Sequence, residues 1–466
     1  MTPLLVAADI TPLHFFDTFT EGDTPYCELL ITNGWIYGTT SAHGTNGNNS
    51  AGTVFKLSTT GTSLTVLKTF SNTGSNATPH DLGGLTLGGD ILYGTTAYGV
   101  GNGGTVFKIN TDGTGFETLY AFNTSGQSFP DGILPEAGLL LLGDTLYGTT
   151  YNGGLGGNGT LFKIGTNGTG YAQLKQFTNN YPANGSVPGV LAGTHPGGAL
   201  ATDGTYIFGT THQGGTNFYG VIYRIGTDGN GFAVLRSFDG LELGGSPDYG
   251  VICDGSTLYG VAGGGTLLPG IGSGRGGVVF KMNTDGSGYA VLHSFTNKPD
   301  GKTPTGKLLL LGHTLYGVTS AGGTNGTGFG TVYQVNTDGS GYAILHHFTN
   351  SVPGLRTPVN VGLSAAGGQL FGVARFGGPN DGGGIFTLAQ PATESAAPLL
   401  HIAPLSGAVL LTWPTNASGF LLETNATLDL PNTWSVLTSN YGVIDTNYAV
   451  TSSIDRPVQL FRLYQP

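Results

Sequence analysis

The sequence predicts an all-β protein, and its composition carries the first part of that prediction. Glycine makes up 85 of the 466 residues, far above its usual share of about 7%. Glycine supplies the positive φ angles that tight hairpin turns need. Aromatic residues reach 10% and charged residues only 9%, whereas disordered chains are charged and poor in aromatics. No segment shows a sustained 3.6-residue apolar period, so we expect no helices.

A repeat of roughly 50–60 residues is the second observation, and it predicts the architecture. The segment LYGTT recurs in seven variants and so does GTVFKI, while YAVLHSFTN recurs in six. Each repeat also has an apolar segment before LYGTT, such as GLLLLGDTLYG at 138–148. The aromatic residues of the LYGTT segments are Tyr37, Tyr93, Tyr147, Phe208, Tyr259, Tyr316 and Phe371.

Each repeat therefore contains four strand candidates joined by hairpins, which we name a, b, c and d in chain order. The c–d connection reads NTDGTGF or a close variant, and Asp-Gly between strand patterns is a strong hairpin signal. Four-stranded sheets repeated seven times predict a seven-bladed β-propeller, whose radial packing protects the strand edges. We expect the c–d aspartates to bind their own turn backbone; they are Asp112, Asp228, Asp285 and Asp338.

The seventh d strand is missing from its own repeat and is predicted at the N-terminus. The last repeat ends after GGGIFTLAQ, while FFDTFT at 15–20 resembles VLHSFT at 291–296 and places Phe19 on Phe295. This N-terminal strand would be the outermost strand of the last blade and would close the ring. The entropic cost of such a closure grows only logarithmically with chain length. The alternative is a stray arm that pairs with nothing.

The combined pattern LYGTT…GG…GTVFKI…TDG resembles the tandem repeats of GloVer-type bacterial proteins over residues 11–390. This resemblance implies a propeller fold and export from the cell, and it implies no catalytic residues. The c–d hairpin is also similar to the Asp-box position of sialidase-type propellers, although the Ser and Trp of that box are missing here.

The C-terminal region departs from the repeat and predicts a second domain. After a propeller of residues 1–390, the composition of 391–398 is that of a linker. Residues 399–466 then carry strand-like runs such as GAVLLTWP and VQLFRLY, with Trp413 and Trp434 as core candidates. This region is similar to fibronectin type III modules, which implies a small β-sandwich that binds surfaces or acts as a spacer.

Charge and cysteine content argue against several classes of function. The net charge is −11 and the 16 Lys and Arg residues lie singly, so we expect no nucleic-acid partner. No apolar run approaches the roughly 20 residues that span a bilayer. Cys27 and Cys253 have no metal-type spacing and are expected to be buried free thiols.

The expected location is outside the cell or in its envelope. The start MTPLLVAADI lacks the basic region of a signal peptide. Low charge and abundant Gly, Thr and Asn are nevertheless typical of exported proteins. We expect a secreted or envelope protein that is a monomer or a component of a surface assembly.

A ligand site is expected on the face that carries the d–a and b–c loops. Most residues directly after LYGTT are small, but Tyr151, His212 and Arg375 are large and polar. Glu28 and Lys307 replace the Gly or Ala found at the entrance of strand a in the other repeats. The d–a loops add His80, Asp81, His195, Glu242, Asp248, Tyr249 and Arg356.

Two functions remain open for this face. The first is a non-catalytic binding or scaffold protein that recognises a polysaccharide or a surface protein, with these polar residues as solvated surface. The second is a polysaccharide lyase or glycoside hydrolase. A lyase needs a base such as His or Tyr and a cation, whereas a glycosidase needs two carboxylates, and no such pair is evident. We expect no cofactor, with calcium on the loop GPNDGGG (378–384) as the alternative.

Overall fold

The computed structural model divides into two compact units, residues 1–389 and 390–466. The predicted site residues His80, Asp81 and Glu242 and the core candidate Trp434 lie outside the described residues. The structure describes residues 9–44, 50–71, 84–98, 103–122, 129–178, 192–240, 244–263, 276–296, 299–323, 328–349, 354–358, 362–391, 400–405, 408–414, 421–425, 435–436, 442–444, 447–453 and 460–464.

The described residues form strands and turns without a helix, which confirms the all-β prediction. It follows that this part of the chain offers no helix of the length and apolarity that a membrane crossing requires.

Seven antiparallel sheets make up the described part of the first unit, and we number them in chain order. Sheet 1 contains β2 (Asp23–Pro25), β3 (Leu30–Thr32), β4 (Trp35–Ala42), β5 (Ser50–Ser58) and β6 (Leu64–Ser71). Sheet 2 contains β7 (Thr86–Gly88), β8 (Ile91–Thr96), β9 (Thr105–Asn110) and β10 (Glu117–Ala121). Sheet 3 contains β11 (Leu140–Leu142), β12 (Thr145–Thr150), β13 (Thr160–Gly165) and β14 (Ala172–Gln176).

The next three sheets repeat the same order of four consecutive strands. Sheet 4 contains β15 (Ala201–Thr202), β16 (Tyr206–Thr211), β17 (Val221–Gly226) and β18 (Ala233–Ser237). Sheet 5 contains β19 (Val251–Asp254), β20 (Thr257–Ala262), β21 (Val278–Asn283) and β22 (Ala290–Ser294). Sheet 6 contains β23 (Lys302–Leu311), β24 (Thr314–Ala321), β25 (Thr331–Asn336) and β26 (Ala343–His347).

Sheet 7 takes its outermost strand from the N-terminus. Its order is β1-β29-β28-β27, so β1 (Thr11–Phe15) pairs antiparallel with the last strand of the unit. As in the other six sheets, the register shifts by a bulge between the third and fourth strands. The remaining strands are β27 (Ser364–Ala366), β28 (Gln369–Ala374) and β29 (Gly384–Ala389).

The predicted register of this N-terminal strand was wrong by three residues. Phe16, not Phe19, takes the position of Phe295: the Phe16 N–H donates to the carbonyl of Gly383 at 3.1 Å, as the Phe295 N–H does to Gly277 at 2.9 Å. Phe16 is 3% exposed and Phe19 is 63% exposed. The two phenylalanines of FFDTFT are three residues apart, so the motif alone fits either alignment.

Asp17 is the physical reason why the strand ends before Phe19. Its carboxylate Oδ1 accepts the backbone N–H of Phe19 at 3.0 Å and of Thr20 at 3.1 Å. Side-chain bonds of this kind from Asp to nearby N–H groups compete with the strand ladder and favour a turn. The segment predicted as a strand at 15–20 is therefore mostly a turn.

One aromatic contact joins each sheet to the next. A Phe that follows the fourth strand of one sheet contacts the aromatic residue of the third strand in the next sheet, with ring centroids 5.0 to 5.6 Å apart and planes inclined by 58° to 68°. Inclined aromatic pairs of this kind contribute about 0.5–1.5 kcal/mol beyond their buried area. The pairs are Phe16–Phe55, Phe70–Phe107, Phe122–Phe162, Phe177–Tyr223, Phe238–Phe280, Phe295–Tyr333 and Phe348–Phe386.

These contacts lie in seven buried clusters, and each cluster combines residues of two consecutive sheets. The seventh cluster closes the series, because it joins Phe16 and Phe371 of sheet 7 to Leu29 and Ile36 of sheet 1. Each sheet of the described unit therefore packs against two neighbours.

This packing requires the Gly of LYGTT, because it leaves no room for a side chain there. The ring of Phe162 lies over Gly148 on the neighbouring strand, and a Cβ at Gly148 would lie 2.6 Å from its Cζ atom. Sheets 4 and 6 have Tyr223 and Tyr333 in place of this Phe. Both hydroxyls are buried without a hydrogen-bond partner among the described residues.

The c–d turns are stabilised as predicted. Oδ1 of Asp112, Asp228, Asp285 and Asp338 accepts the N–H two residues later at 2.8–2.9 Å. Hydrogen bonds from the residue two positions on lower the pKa of all four carboxyl groups. These aspartates therefore stabilise the c–d turns.

The second unit has two described sheets around Trp413, which is fully buried with Leu411, Leu422 and Val450. The first has the order β30 (His401–Leu405), β31 (Ala408–Pro414), β35 (Asn447–Ser453) and β34 (Gly442–Ile444). The second has the order β33 (Ser435–Val436), β32 (Leu421–Asn425) and β36 (Leu460–Tyr464).

Replacing Phe16 should test the closure of sheet 7 on sheet 1. We expect Phe16→Ala to lower the free energy of unfolding by about 3–5 kcal/mol, because it removes the aromatic contact with Phe55 and leaves a cavity in its place. Phe19→Ala is the matched control and should stay within about 0.5 kcal/mol. Urea unfolding of the full chain gives both values. Equal losses would contradict the register described above.

Replacing Tyr223 by Phe should stabilise the protein by about 1 kcal/mol, because it removes a buried hydroxyl without a hydrogen bond. Tyr120→Phe is the control, and we expect it to change the free energy of unfolding in the opposite direction. Its hydroxyl donates to Asp131 Oδ2 at 2.8 Å, so its removal should cost about 1 kcal/mol. The same urea titration measures both, and a loss of stability in Tyr223→Phe would show that its hydroxyl has a partner.

Candidate functional site

A cavity of about 350 Å³ is lined by residues from all seven sheets, which lie in or just before the strand that pairs with the LYGTT strand. Five of the seven equivalent residues of these segments are Gly or Ala, and leucines such as Leu139 and Leu200 line the walls as well. Asp248 and Tyr249 also line it. The seven residues are Glu28, Gly84, Gly138, Ala199, Gly250, Lys307 and Gly362; all except Gly250 line the cavity.

Glu28 and Lys307 are the two long side chains at these positions, and they pair with each other. Lys307 Nζ lies 3.3 Å from Glu28 Oε2, and each side chain is about one third exposed (35% and 34%). The pair passes beside Gly362 of sheet 7, where a Cβ would lie 2.7 Å from the Lys307 carbonyl oxygen and 3.6 Å from Glu28 Cγ. A side chain at position 362 would therefore obstruct this link between sheets 6 and 1.

The loops that lead into the first strands share a strained motif, which the sequence reasoning missed. In sheets 1 and 3 to 7, a residue other than glycine has a φ of 48° to 60° directly before a proline. Such backbone conformations cost about 1–3 kcal/mol each. The signal in the sequence is an X-Pro pair two or three residues after a Gly. The residues are Thr24, Leu134, His195, Ser246, Thr303 and Thr357.

The prolines of this motif contact the preceding sheet. A Cβ on Gly159 of sheet 3 would lie 2.7 Å from Cδ of Pro196 in sheet 4, and the same holds for Gly220 and Pro247. The neighbouring sheet thus fixes these loops. The side chains that follow the prolines therefore take equivalent positions at each contact between consecutive sheets, which we call a joint.

Two predicted residues lie at equivalent joints and contact the residue after such a proline. His212 follows the second strand of sheet 4, and its Nδ1 lies 2.6 Å from Asp248 Oδ1 in the loop of sheet 5. Arg375 follows the second strand of sheet 7, and its guanidinium carbon lies 4.5 Å from the ring centroid of Tyr26 in the loop of sheet 1.

Tyr151, His195 and His212 form one cluster with Asp248. The Tyr151 ring centroid lies 4.9 Å from that of His195 and 6.3 Å from that of His212. Burial, together with the charges of Asp248 and Glu136, raises the pKa of Tyr151 to about 12. The phenol therefore keeps its proton at neutral pH, as a hydrogen-bond donor.

The two histidines of this cluster titrate in opposite directions. The hydrogen bond to Asp248 raises the pKa of His212. Burial and the neighbouring charge of His212 lower the pKa of His195. Near neutral pH the cluster thus combines an imidazole that favours a positive charge with one that favours neutrality.

The structure divides the predicted site residues into three groups. Tyr151, His195 and His212 share the cluster just described, Glu28 and Lys307 pair at the cavity, and Arg375 lies on Tyr26. Asp248, which lines the cavity and binds His212, connects the first group with the second.

The calcium candidate GPNDGGG (378–384) uses its acidic group within the protein. Asp381 accepts the N–H of Gly377 at 2.7 Å and pairs with Arg356 at 2.7 Å. Within the described ranges, no group of three or more His, Cys, Asp or Glu side chains is arranged to hold a metal. Both cysteines are free thiols; Cys27 is buried, but Cys253 is partly exposed, unlike the prediction.

The profile of the Gloeobacter/Verrucomicrobia repeat matches this chain in three overlapping segments, residues 4–143, 46–268 and 265–421. The chain belongs to this family. The resemblance predicted from LYGTT and GTVFKI is thereby confirmed, and the family's repeat explains why one joint geometry recurs from sheet to sheet. No curated protein matches the sequence.

Solved structures resemble the chain only distantly. An oligogalacturonate lyase in complex with manganese is 11% identical and has a TM-score of 0.49, with 84% of this chain and 95% of that chain covered. A puromycin-hydrolysing peptidase from Mycobacterium tuberculosis is 12% identical and has a TM-score of 0.46, with 87% of this chain and 62% of that chain covered. TolB from Acinetobacter baumannii is 13% identical and has a TM-score of 0.35, with 62% of this chain and 58% of that chain covered. At these TM-scores, none of their activities transfers to this chain.

The pair of His212 and Asp248 should make stability depend on pH. Because the folded pKa of His212 is raised, the pair stabilises the protein below the ordinary His pKa of about 6.5, and this contribution disappears as pH rises through the raised value. We expect Asp248→Asn to lower the free energy of unfolding by up to about 1 kcal/mol at low pH and by less at high pH.

His195→Gln is the control for this pH dependence, because its pKa is lowered. Because a neutral side chain cannot be protonated, His195→Gln should be more stable than the unsubstituted protein below about pH 6.5. This pH dependence is opposite to that of Asp248→Asn. Chemical unfolding across the pH range measures both variants. Parallel pH profiles of the two variants would contradict the assignment of the two pKa shifts.

Proposed function

We propose that the first unit is a seven-bladed β-propeller of residues 1–390, closed by its N-terminal strand. The support is the series of seven clusters that link consecutive sheets and then sheet 7 to sheet 1. We also propose that, after a linker at 391–398, residues 399–466 form a small fibronectin type III-like sandwich around Trp413, supported by its two sheets.

We propose that the protein is exported and binds a glycan on the face of the d–a and b–c loops, without catalysis. The observation that carries this proposal is the half-buried cluster of Tyr151, His195, His212 and Asp248 beside the cavity. Binding sites for small molecules combine a concave surface with a few fixed polar groups.

The chemistry of this face suits a sugar better than an apolar ligand. Aromatic rings such as Tyr151 and Tyr249 offer apolar faces with a polar tip, which match the C–H and O–H faces of a sugar ring. The cavity walls of Gly84, Gly138 and Gly362 leave backbone groups accessible as hydrogen-bond partners. A surface protein is the other partner class of this proposal, alone or within a surface assembly.

A carbohydrate-active enzyme on the same face is the second candidate. It is favoured by one observation: Asp248 orients His212, and Tyr151 lies next to both. A carboxylate that fixes a histidine is the usual support for a general base. The raised pKa of Tyr151 makes this phenol an acid rather than a base at neutral pH.

A panel of neutral and acidic polysaccharides tests the two candidates together. We expect the full chain to retain at least one glycan, and Tyr151→Ala to weaken that binding about tenfold, because an aromatic contact is lost. Tyr98→Ala is the control, since Tyr98 is an exposed tyrosine in the loop after the second strand of sheet 2, outside the cluster. Calorimetry gives the affinities.

The same samples distinguish binding from catalysis. An ultraviolet signal from an unsaturated product, or new reducing ends, would replace the binding proposal by the lyase or the hydrolase. Retention of no glycan would reject both. Equal losses in Tyr151→Ala and Tyr98→Ala would move the site away from the cluster.

A further inference from the structure

Arg375 is a cation whose observed contacts are aromatic rings. Its guanidinium carbon lies 4.5 Å from the ring centroid of Tyr26 and 4.9 Å from that of Phe376. Its Nε atom is buried and has no hydrogen-bond partner among the residues that the structure describes. Stacking of this kind fixes the plane of the guanidinium.

Two other long cations of the same face have carboxylate partners. Lys307 pairs with Glu28 at 3.3 Å, and Arg356 pairs with Asp381 at 2.7 Å. Among the ion pairs of the described ranges, none includes Arg375. In a chain of net charge −11, Arg375 is thus held by aromatic rings rather than by a carboxylate.

Arg375 is connected to the cavity through the residue on which it stacks. Tyr26, on which it stacks, comes two residues before Glu28, which lines the cavity. Burial and the charges of Asp248 and Tyr26 raise the pKa of Tyr249, another lining residue. Tyr26 of sheet 1 therefore lies close enough to Tyr249 of sheet 5 for their charges to interact.

We infer that Arg375 recognises an anionic group, a carboxylate or a sulfate ester, on a sugar bound at the cavity. The planar fork of a guanidinium matches two oxygens of such a group. The sugar ring then extends toward Tyr249 and the cluster around His212. This inference deepens the proposed glycan binding and depends on it.

Four probes and three variants of the full chain test the inference. The probes are trigalacturonate, its methyl ester, a sulfated carrageenan oligosaccharide and its desulfated form, so each acidic sugar has a neutral counterpart. The variants are Arg375→Gln, Arg375→Lys and, as control, Arg224→Gln. Arg224 is also stacked on a ring, that of Tyr206 at 4.7 Å, but on a third strand away from these loops.

Calorimetry should show that at least one acidic sugar binds roughly tenfold to hundredfold more tightly than its neutral counterpart, as a charge-assisted hydrogen bond implies. Arg375→Gln should abolish this ratio, Arg375→Lys should keep part of it, and Arg224→Gln should keep all of it. The Lys variant retains the charge and a cation–π contact with Tyr26 but not the planar fork, so it remains informative if the Gln variant does not fold.

Equal binding of charged and neutral sugars would overturn this inference alone. A preference for acidic sugars that persists in Arg375→Gln would do the same. Failure of all four probes to bind, with a glycan retained from the wider panel, would also reject the inference and leave the proposed function in place. Failure of every glycan would reject both.

Discussion

The inclined contact between a phenylalanine of one sheet and the third-strand aromatic residue of the next is the interaction on which the first unit depends. It recurs at all seven joints, and at the last joint Phe16 supplies it to Phe55. The third-strand ring occupies the space where a side chain would follow the Tyr of LYGTT, which is why Gly148 and its equivalents have no Cβ.

A second contact between consecutive sheets occurs from sheet 1 to sheet 2 and from sheet 5 to sheet 6. Lys56 donates to the carbonyl of Thr111 at 3.4 Å and Lys281 to that of Thr337 at 2.9 Å, each in the c–d turn of the next sheet. In sheet 6 the position of these lysines is Gln334. Sheet 7 has no hairpin after its third strand, since β1 supplies the fourth, so a lysine there would lack this acceptor.

The candidate site uses the same joints with different residues. The residue after the second strand is a histidine bound to Asp248 in one joint and Arg375 stacked on Tyr26 in another. Because the aromatic contacts beneath already hold the sheets together, these positions vary without loss of the fold. A repeat scaffold can thus acquire one asymmetric face, with its ion pairs and cluster confined to particular joints.

The sequence by itself determined the strands, their number per repeat and the residues that stand out on the loop face, since period, turn residues and small-to-large substitutions are local signals. Tertiary structure alone decided that Phe16 rather than Phe19 enters the core, because both fit the motif and only the ladder with β29 and the turn at Asp17 distinguish them. It likewise decided that Lys307 reaches Glu28 and that Asp248 meets His212, because these side chains belong to different repeats and only the packing of sheets brings them within bonding distance.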